Sequence, residues 1–127
     1  MIIVVDALNK HEYSEILDQM FRLRARVFAG RLGWDVNVVD GREIDEFDEL
    51  DPAYVIGVDD EGHVVSCVRA LQTTGPHMLA DVFSGILDGE PPLRSATYTC
   101  VALLRAGESF RARLGRGPKT VSYATAE

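Results

Sequence analysis

Two arginines occupy a helical face that is otherwise apolar, and this restricts how the chain can fold. At about 100° of rotation per residue, Arg24 and Arg31 fall on the same arc. The apolar members of that arc are Ile16, Leu17, Met20, Phe21, Leu23, Val27 and Phe28. A guanidinium stays charged at ordinary pH, so an arginine facing a core requires carboxylates, a ligand or a route to water along its stem. Candidate carboxylates follow the helix: Glu43, Asp45, Glu46, Asp48 and Glu49.

The composition is typical of one soluble domain and excludes several classes of function. A chain of 127 residues is long enough for one core. It contains no apolar run of about 20 residues and no basic, apolar leader, so we expect a cytoplasmic protein that is not in a membrane. A net charge of -7 argues against sequence-independent nucleic-acid binding. Cys67 and Cys100 fit a reducing compartment and have no zinc-site spacing, so no metal is expected.

The charge is distributed unevenly along the chain. Residues from Val101 onward carry a net charge of +3, which leaves -10 on residues 1–100. The hydrophobic periodicity is also lost after Leu104. We therefore divide the chain into a main part, residues 1–100, and an atypical basic tail, residues 101–127.

Turn and cap residues predict the order of elements in the first 52 residues. We expect a strand over Ile2–Asp6 and then a helix capped by Asn9 that runs to about Arg31 and is stopped by Gly33. The acidic segment from Gly33 to Pro52 is too irregular for a regular element and too apolar for a free linker. It predicts a functional loop packed across the core.

A hairpin follows this segment. Strands are expected over Ala53–Val58 and His63–Thr73, joined at an Asp-Asp-Glu-Gly turn. With a period of two, Arg69 shares a face with Val65, Cys67 and Leu71. A short helix over His77–Leu87 and a strand over Ala96–Leu104 complete the prediction.

Two arginines on apolar faces, with an acidic segment between them, predict a cluster of Arg24, Arg69, Asp45 and Asp48. One interpretation is a set of ion pairs that pins the loop to the sheet. The other is a polar cleft for a zwitterionic substrate, in which a carboxylate meets an ammonium group and an arginine meets a carboxylate. Both interpretations can hold together.

The same residues form a family signature. The run Leu23-Arg24-x-x-x-Phe28-x-x-Arg31-x-x-Trp34, then Asp45-Glu46-Phe47-Asp48 and Cys67-Val68-Arg69, resembles the acyl-homoserine-lactone synthases, the LuxI-type autoinducer synthases. All five fixed positions of the first run are in register. The segment Pro76-His77-Met78-Leu79 with Phe83 is also similar, so the resemblance covers residues 1 to about 100.

The resemblance implies an acetyltransferase-like α/β fold, with helices packed on a mixed, twisted sheet. It implies acyl transfer from acyl carrier protein, in some members from coenzyme A, to S-adenosylmethionine, followed by lactonisation. These are substrates, and no cofactor is implied. Catalytic roles are expected for Asp45, Asp48, Arg69 and Arg24, with Asp45 the first choice of base. Substrate contacts are expected from Arg24 and from Phe28, Arg31 and Trp34.

The resemblance weakens near residue 100. Thr99 stands where the family has glutamate, and the Ser-Arg-Phe that follows in the family is missing. A frame displaced by one base can encode Ser-Arg-Phe-Cys over the codons for Val101 to Arg105, so the hypotheses are a truncated or a frameshifted synthase. Two functional alternatives stay open. One is a non-catalytic remnant that binds S-adenosylmethionine or an intact partner, and the other is a coenzyme-A-dependent N-acetyltransferase.

Overall fold

A helix lies across an antiparallel sheet in the computed structural model, which describes residues 1–82, 84–92, 94 and 99–105. Four strands form the sheet in the order β1-β4-β5-β6, and β2 and β3 form a separate hairpin. The strands are β1 (Ile2–Val5), β2 (Val38–Val39), β3 (Arg42–Glu43), β4 (Ala53–Val58), β5 (Val64–Gln72) and β6 (Thr99–Arg105).

The first helical region has three parts, and its α-helix begins later than predicted. A 3-10 turn over Lys10–Glu12 precedes α1 (Ser14–Ala25), and a π-helical turn over Arg26–Arg31 follows it. Asn9 precedes the 3-10 turn, but its side chain does not cap it, because that side chain accepts from the Asp6 backbone N–H at 2.8 Å and donates to the Val4 carbonyl at 3.0 Å. These bonds tie the end of β1 to the chain that enters the helix.

The π-helical turn corrects the prediction for Arg31. The Leu32 backbone N–H donates to the Val27 carbonyl at 2.9 Å, five residues back. Each such turn takes one more residue than an α-helical turn, so later side chains fall behind the 100° phase. Arg24 is therefore buried as expected, whereas Arg31 is exposed.

The core lies between α1 and the sheet. It is built from residues of β1, β4 and β5 and from the inner face of α1 and the π-helical turn: Val5, Met20, Leu23, Val27, Tyr54, Ile56, Val58, Val64 and Cys67. The predicted position of Val65 on the inner face is wrong. Val58 pairs with Val64 while Gly57 pairs with Ser66, so a β-bulge turns Val65 outward and Val64 inward.

The segment 33–52 packs against the core as predicted, but it contains regular structure that the sequence analysis did not predict. Strands β2 and β3 are joined by Asp40 and Gly41, with φ of 52° and 77°, a conformation that favours an Asp-Gly turn. The Arg22 guanidinium donates to the Asp40 carbonyl at 3.1 Å, and Arg42 pairs with Asp18. These contacts fasten the hairpin to α1.

The region after β5 is more broken than a single helix over His77–Leu87. It consists of α2 (Met78–Asp81) and a 3-10 turn over Ser84–Leu87. The Asp81 carboxylate accepts from the His77 backbone N–H at 2.9 Å, which caps α2, and Gly85 is a poor helix former in the following turn. Strand β6 crosses residue 100. Residues 95–98 and 106–127 lie outside the described residues. The division of the chain into a main part and a basic tail at residue 100 therefore stays a prediction.

Candidate functional site

The buried Arg24 side chain is engaged through all three guanidinium nitrogens. Its Nε donates to Glu43 Oε2 at 2.7 Å, and one terminal nitrogen lies 2.6 Å from the same oxygen. The other terminal nitrogen donates to Asp48 Oδ1 at 2.7 Å. The β2–β3 hairpin supplies Glu43, which is only 3% exposed. The helical arginine therefore receives its charge partners from the acidic segment, as the sequence predicts.

Arg69 reaches the same acidic segment from the central strand β5. Its guanidinium holds both oxygens of Asp45, at 2.6 and 3.0 Å, and also donates to Asp48 Oδ1 at 3.0 Å. A bidentate contact of this kind fixes the direction of the carboxylate as well as its distance. The side chains Arg24, Glu43, Asp45, Asp48 and Arg69 are called the charged cluster below.

The spacing Asp45-x-x-Asp48 sets the geometry of the two aspartates. Residues 46–50 form a 3-10 turn, and Asp45 caps it by accepting from the Phe47 backbone N–H at 3.0 Å. Asp48 returns the contact by accepting from the Asp45 backbone N–H at 2.8 Å. This reciprocal capping box holds both carboxylates in place through backbone contacts that do not involve the arginines.

The two aspartates differ in exposure and in saturation. The Asp48 side chain is 4% exposed, and its oxygens accept from Arg24, Arg69, the Asp45 backbone and the Tyr54 hydroxyl, the last at 2.5 Å. The Asp45 side chain is 30% exposed. Asp45 is therefore the carboxylate of this pair that a substrate can approach, and Asp48 is a fixed internal anion.

The electrostatics of the charged cluster follow from burial and pairing. Burial alone would raise the pKa of Asp48, but hydrogen bonds from Arg24 and Tyr54, with the charge of Arg24, hold it at about 2. Burial raises the pKa of Glu43, and the charge of Arg24 offsets this only in part. Burial alone would lower the pKa of Arg24, yet Asp48 and the other carboxylates raise it. Burial also raises the pKa of the Cys67 thiol to about 11.

Aromatic rings support both guanidinium groups. The Arg24 guanidinium carbon lies 5.4 Å from the centre of the Phe21 ring, and that of Arg69 lies 5.5 Å from the Phe47 ring. These distances are in the range of cation–π contacts. The rings cover the apolar sides of the guanidinium planes and leave the edges for carboxylates.

Phe28 and Trp34 form a second aromatic feature beyond the end of α1. Their rings stack at a centroid distance of 5.2 Å and an angle of 6°. The Trp34 backbone N–H donates to the Phe28 carbonyl at 2.8 Å, which closes the loop that brings the rings together. Trp34 remains 43% exposed, so part of this side chain is accessible to solvent.

The predicted cluster of Arg24, Arg69, Asp45 and Asp48 is thus present, and Arg31 is not part of it. Glu43 was one of five candidate carboxylates, but the sequence pattern did not distinguish it from the exposed Glu46 and Glu49. Tyr54 was missed, although its place on the inner face of β4 follows from the strand period.

A group of possible metal ligands lies elsewhere. Oxygen or nitrogen atoms of Asp59, Glu61 and His63 lie within 4.8 Å of one another on the exposed β4–β5 turn. Asp59 has a sufficient structural role there, since it accepts from the backbone N–H groups of Glu61 and His63.

Comparisons with known proteins identify the family of the chain. A sequence model described as autoinducer synthase matches residues 7–113. The chain belongs to the autoinducer synthase family. It is 44% identical over 87 residues to the acyl-homoserine-lactone synthase of Agrobacterium fabrum, covering 68% of this chain and 41% of that relative.

Solved structures of this family confirm the α/β fold. The synthase LasI matches with a TM-score of 0.72 and 33% identity, over 91% of this chain and 57% of its own. BjaI, a coenzyme-A-dependent synthase solved with S-adenosylmethionine and isopentyl-coenzyme A, matches with a TM-score of 0.73 and 29% identity, over 91% and 54%. The chain spans about half the length of the relatives it matches.

In the part of the chain that the structure describes, every helix is too short or too polar to cross a membrane.

Proposed function

We propose that this chain carries the S-adenosylmethionine site of an acyl-homoserine-lactone synthase and acts in N-acyl-homoserine-lactone synthesis. The observation that supports this most strongly is the charged cluster, in which two buried arginines pair with two buried carboxylates and one accessible carboxylate. A set of ion pairs that only pinned the loop would not require an aspartate edge open to solvent.

The proposed substrate complements this arrangement. The methionyl part of S-adenosylmethionine carries an ammonium and a carboxylate. The ammonium would meet Asp45, and the guanidinium edges of Arg24 and Arg69 would orient the carboxylates of the site. Phe28 and Trp34 would hold the adenosyl group by stacking, and the exposed Arg31 would contact the outer part of the substrate.

The first chemical step is acyl transfer. The substrate ammonium gives one proton to Asp45, directly or through a water, and the resulting amine attacks the thioester carbonyl. The carbon–nitrogen bond forms as the carbon–sulfur bond of the thioester breaks. The released thiolate takes the proton that the acylated nitrogen loses, and it leaves as a thiol.

The second step is cyclisation of the acylated intermediate. A carboxylate oxygen attacks the methionyl carbon bonded to the sulfonium sulfur. The carbon–sulfur bond breaks, and neutral methylthioadenosine leaves with the electron pair. Both steps use substrates only, so we propose that no resident cofactor or metal takes part.

Acyl carrier protein is the acyl donor in this proposal, as the family resemblance implies, and the alternative donor is an acyl-coenzyme A. BjaI, described as coenzyme-A-dependent, supports the alternative. Both donors present the same thioester to the amine, so the described residues serve either one. Because these substrates are cytoplasmic, the proposal assigns the chain to the cytoplasm.

The direct test is product formation by the purified chain. S-adenosylmethionine is supplied with an acyl carrier protein thioester or with an acyl-coenzyme A, and lactone and methylthioadenosine are quantified by mass spectrometry. We expect lactone, and we expect Asp45→Asn to reduce the rate by about 10² to 10⁴. The matched control is Glu46→Gln, which neutralises the neighbouring exposed acid and should leave the rate unchanged.

Other outcomes identify the alternatives. Binding of S-adenosylmethionine without lactone from either donor would refute synthesis and support a binding remnant. Acetyl transfer to an unrelated amine would support an N-acetyltransferase. Equal losses in Asp45→Asn and Glu46→Gln would refute the role of Asp45.

A further inference from the structure

Asp48 accepts hydrogen bonds from Arg24, Arg69, the Asp45 backbone and Tyr54, and the Tyr54 hydroxyl is a side-chain donor without charge. The hydroxyl of Tyr54 lies 2.5 Å from Asp48 Oδ1, the same oxygen that accepts from Arg24 and Arg69. Tyr54 lies on β4 directly opposite Arg69 on β5 in the sheet register. The sheet therefore places the neutral Tyr54 hydroxyl and the charged Arg69 guanidinium side by side, and both donate to the Asp48 carboxylate.

The Tyr54 ring is itself held in place. It is buried in the core and meets the Phe21 ring edge to face at 6.3 Å. Phe21 in turn lies against the Arg24 guanidinium. The hydroxyl position is thus set by the same helix and sheet that position the two arginines.

We infer that Tyr54 is a positioning residue whose hydroxyl keeps Asp48 a fixed anion, so that Arg69 retains the geometry that presents Asp45 to the substrate. The inference rests on the proposed function for its consequence and on the contacts above for its mechanism. Without the hydroxyl, Asp48 Oδ1 would keep only its two arginine donors, and Arg69 would be drawn further toward Asp48 and away from Asp45.

None of the charged or titratable side chains described around Asp48 can replace the Tyr54 hydroxyl as a hydrogen-bond donor. Arg24 faces it from α1, Glu43 from β3, Asp45 from the cap of its own turn, and Arg69 and Cys67 from β5. The two arginines are already engaged with it. Burial and the charge of Asp48 raise the pKa of Tyr54, so its hydroxyl remains a donor throughout the working pH range.

The test replaces Tyr54 by phenylalanine, which removes one oxygen and keeps the ring in the core. The titration of the Asp48 carboxyl carbon is followed by NMR between pH 7 and pH 3. In the unchanged protein Asp48 should stay ionised throughout, consistent with its pKa of about 2. One hydrogen bond to a charged group alters an ionisation equilibrium by roughly tenfold or more. In Tyr54→Phe the pKa of Asp48 should therefore rise by about one pH unit or more, so that protonation of the carboxylate begins within the observed range.

A matched control removes a hydroxyl elsewhere. Tyr13 is half-buried against the same core, and its hydroxyl makes no hydrogen bond within the described part of the chain. Tyr13→Phe should leave the Asp48 titration unchanged. At pH 7, calorimetry should show that Tyr54→Phe weakens S-adenosylmethionine binding roughly threefold to tenfold, while Tyr13→Phe does not.

The outcomes separate this inference from the proposed function. An Asp48 titration that is the same in Tyr54→Phe and the unchanged protein would overturn it, and so would a shifted titration with unchanged affinity in a protein that binds the substrate. If the unchanged protein neither binds S-adenosylmethionine nor forms lactone, the proposed function fails, and the Asp48 titration alone decides the role of Tyr54. Should Tyr54→Phe not fold, slow solvent exchange of the Tyr54 hydroxyl proton in the unchanged protein supports the contact, and fast exchange refutes it.

Discussion

Replacing Arg24 by methionine should remove a large part of the stability of this protein. Methionine fills a similar volume without charge, so the main change is electrostatic. It leaves Glu43, 3% exposed, without the partner that contacts its Oε2 at 2.6 and 2.7 Å, and it removes one donor from Asp48. Breaking a buried pair by removing one partner costs about 3 to 5 kcal/mol. A small domain has a total free energy of unfolding of only about 5 to 15 kcal/mol.

The assay is urea unfolding at pH 7, with three variants compared. Arg24→Met should lower the free energy of unfolding by about 3 kcal/mol or more. Arg26→Met, which changes an exposed arginine two residues later, should stay within about 0.5 kcal/mol of the unchanged protein. The double variant Arg24→Met with Glu43→Leu should recover part of the loss, because it removes the unpaired carboxylate. A loss below about 1 kcal/mol in Arg24→Met, or no recovery in the double variant, would refute the reasoning.

Two further predictions concern pH and the β2–β3 turn. The folded pKa of Asp48, about 2, lies below its ordinary value of 3.8, so this group contributes about 2 kcal/mol above pH 4 that is lost as the pH falls toward 2. Glu43, with a raised pKa, acts in the opposite sense. Because Asp48→Asn removes the group with the lowered pKa, its free energy of unfolding should decline less steeply between pH 5 and pH 2.5. An unchanged decline would contradict this. Gly41→Ala places a Cβ 2.8 Å from an Arg22 nitrogen at a φ of 77° and should destabilise by about 1 kcal/mol. Gly30→Ala, with open space around it, is the control for the same urea assay, and equal effects would refute the strain argument.

The sequence was most informative where a regular period applied. The helical period identified Arg24 as an inward charge, and the strand period did the same for Arg69. The same reasoning failed for Arg31 and Val65, because a π-helical turn and a β-bulge each insert a residue that a fixed period does not contain.

The acidic segment was harder to interpret because its structure depends on contacts with the rest of the fold. The Asp40-Gly41 pair was a usable hairpin signal, but strands of two residues show no alternation. The choice of Glu43 over its acidic neighbours depends on how that hairpin docks on α1. The placement of Tyr54 beside Arg69 depends on the register of β4 against β5, which composition does not encode.

The central claim is that the charged cluster recognises the amino-acid end of S-adenosylmethionine. It is tested most directly by comparing that ligand with methylthioadenosine, which lacks this end. Binding to the unchanged protein and to Asp45→Asn is measured by calorimetry, with the fluorescence of Trp34, the single tryptophan, as a second reporter.

We predict that Asp45→Asn weakens S-adenosylmethionine by about tenfold or more, as expected for loss of a charge-assisted contact. Methylthioadenosine should bind both proteins within about twofold, because it has no group to meet Asp45. Equal weakening of the two ligands, or no binding of S-adenosylmethionine to the unchanged protein, would contradict the account.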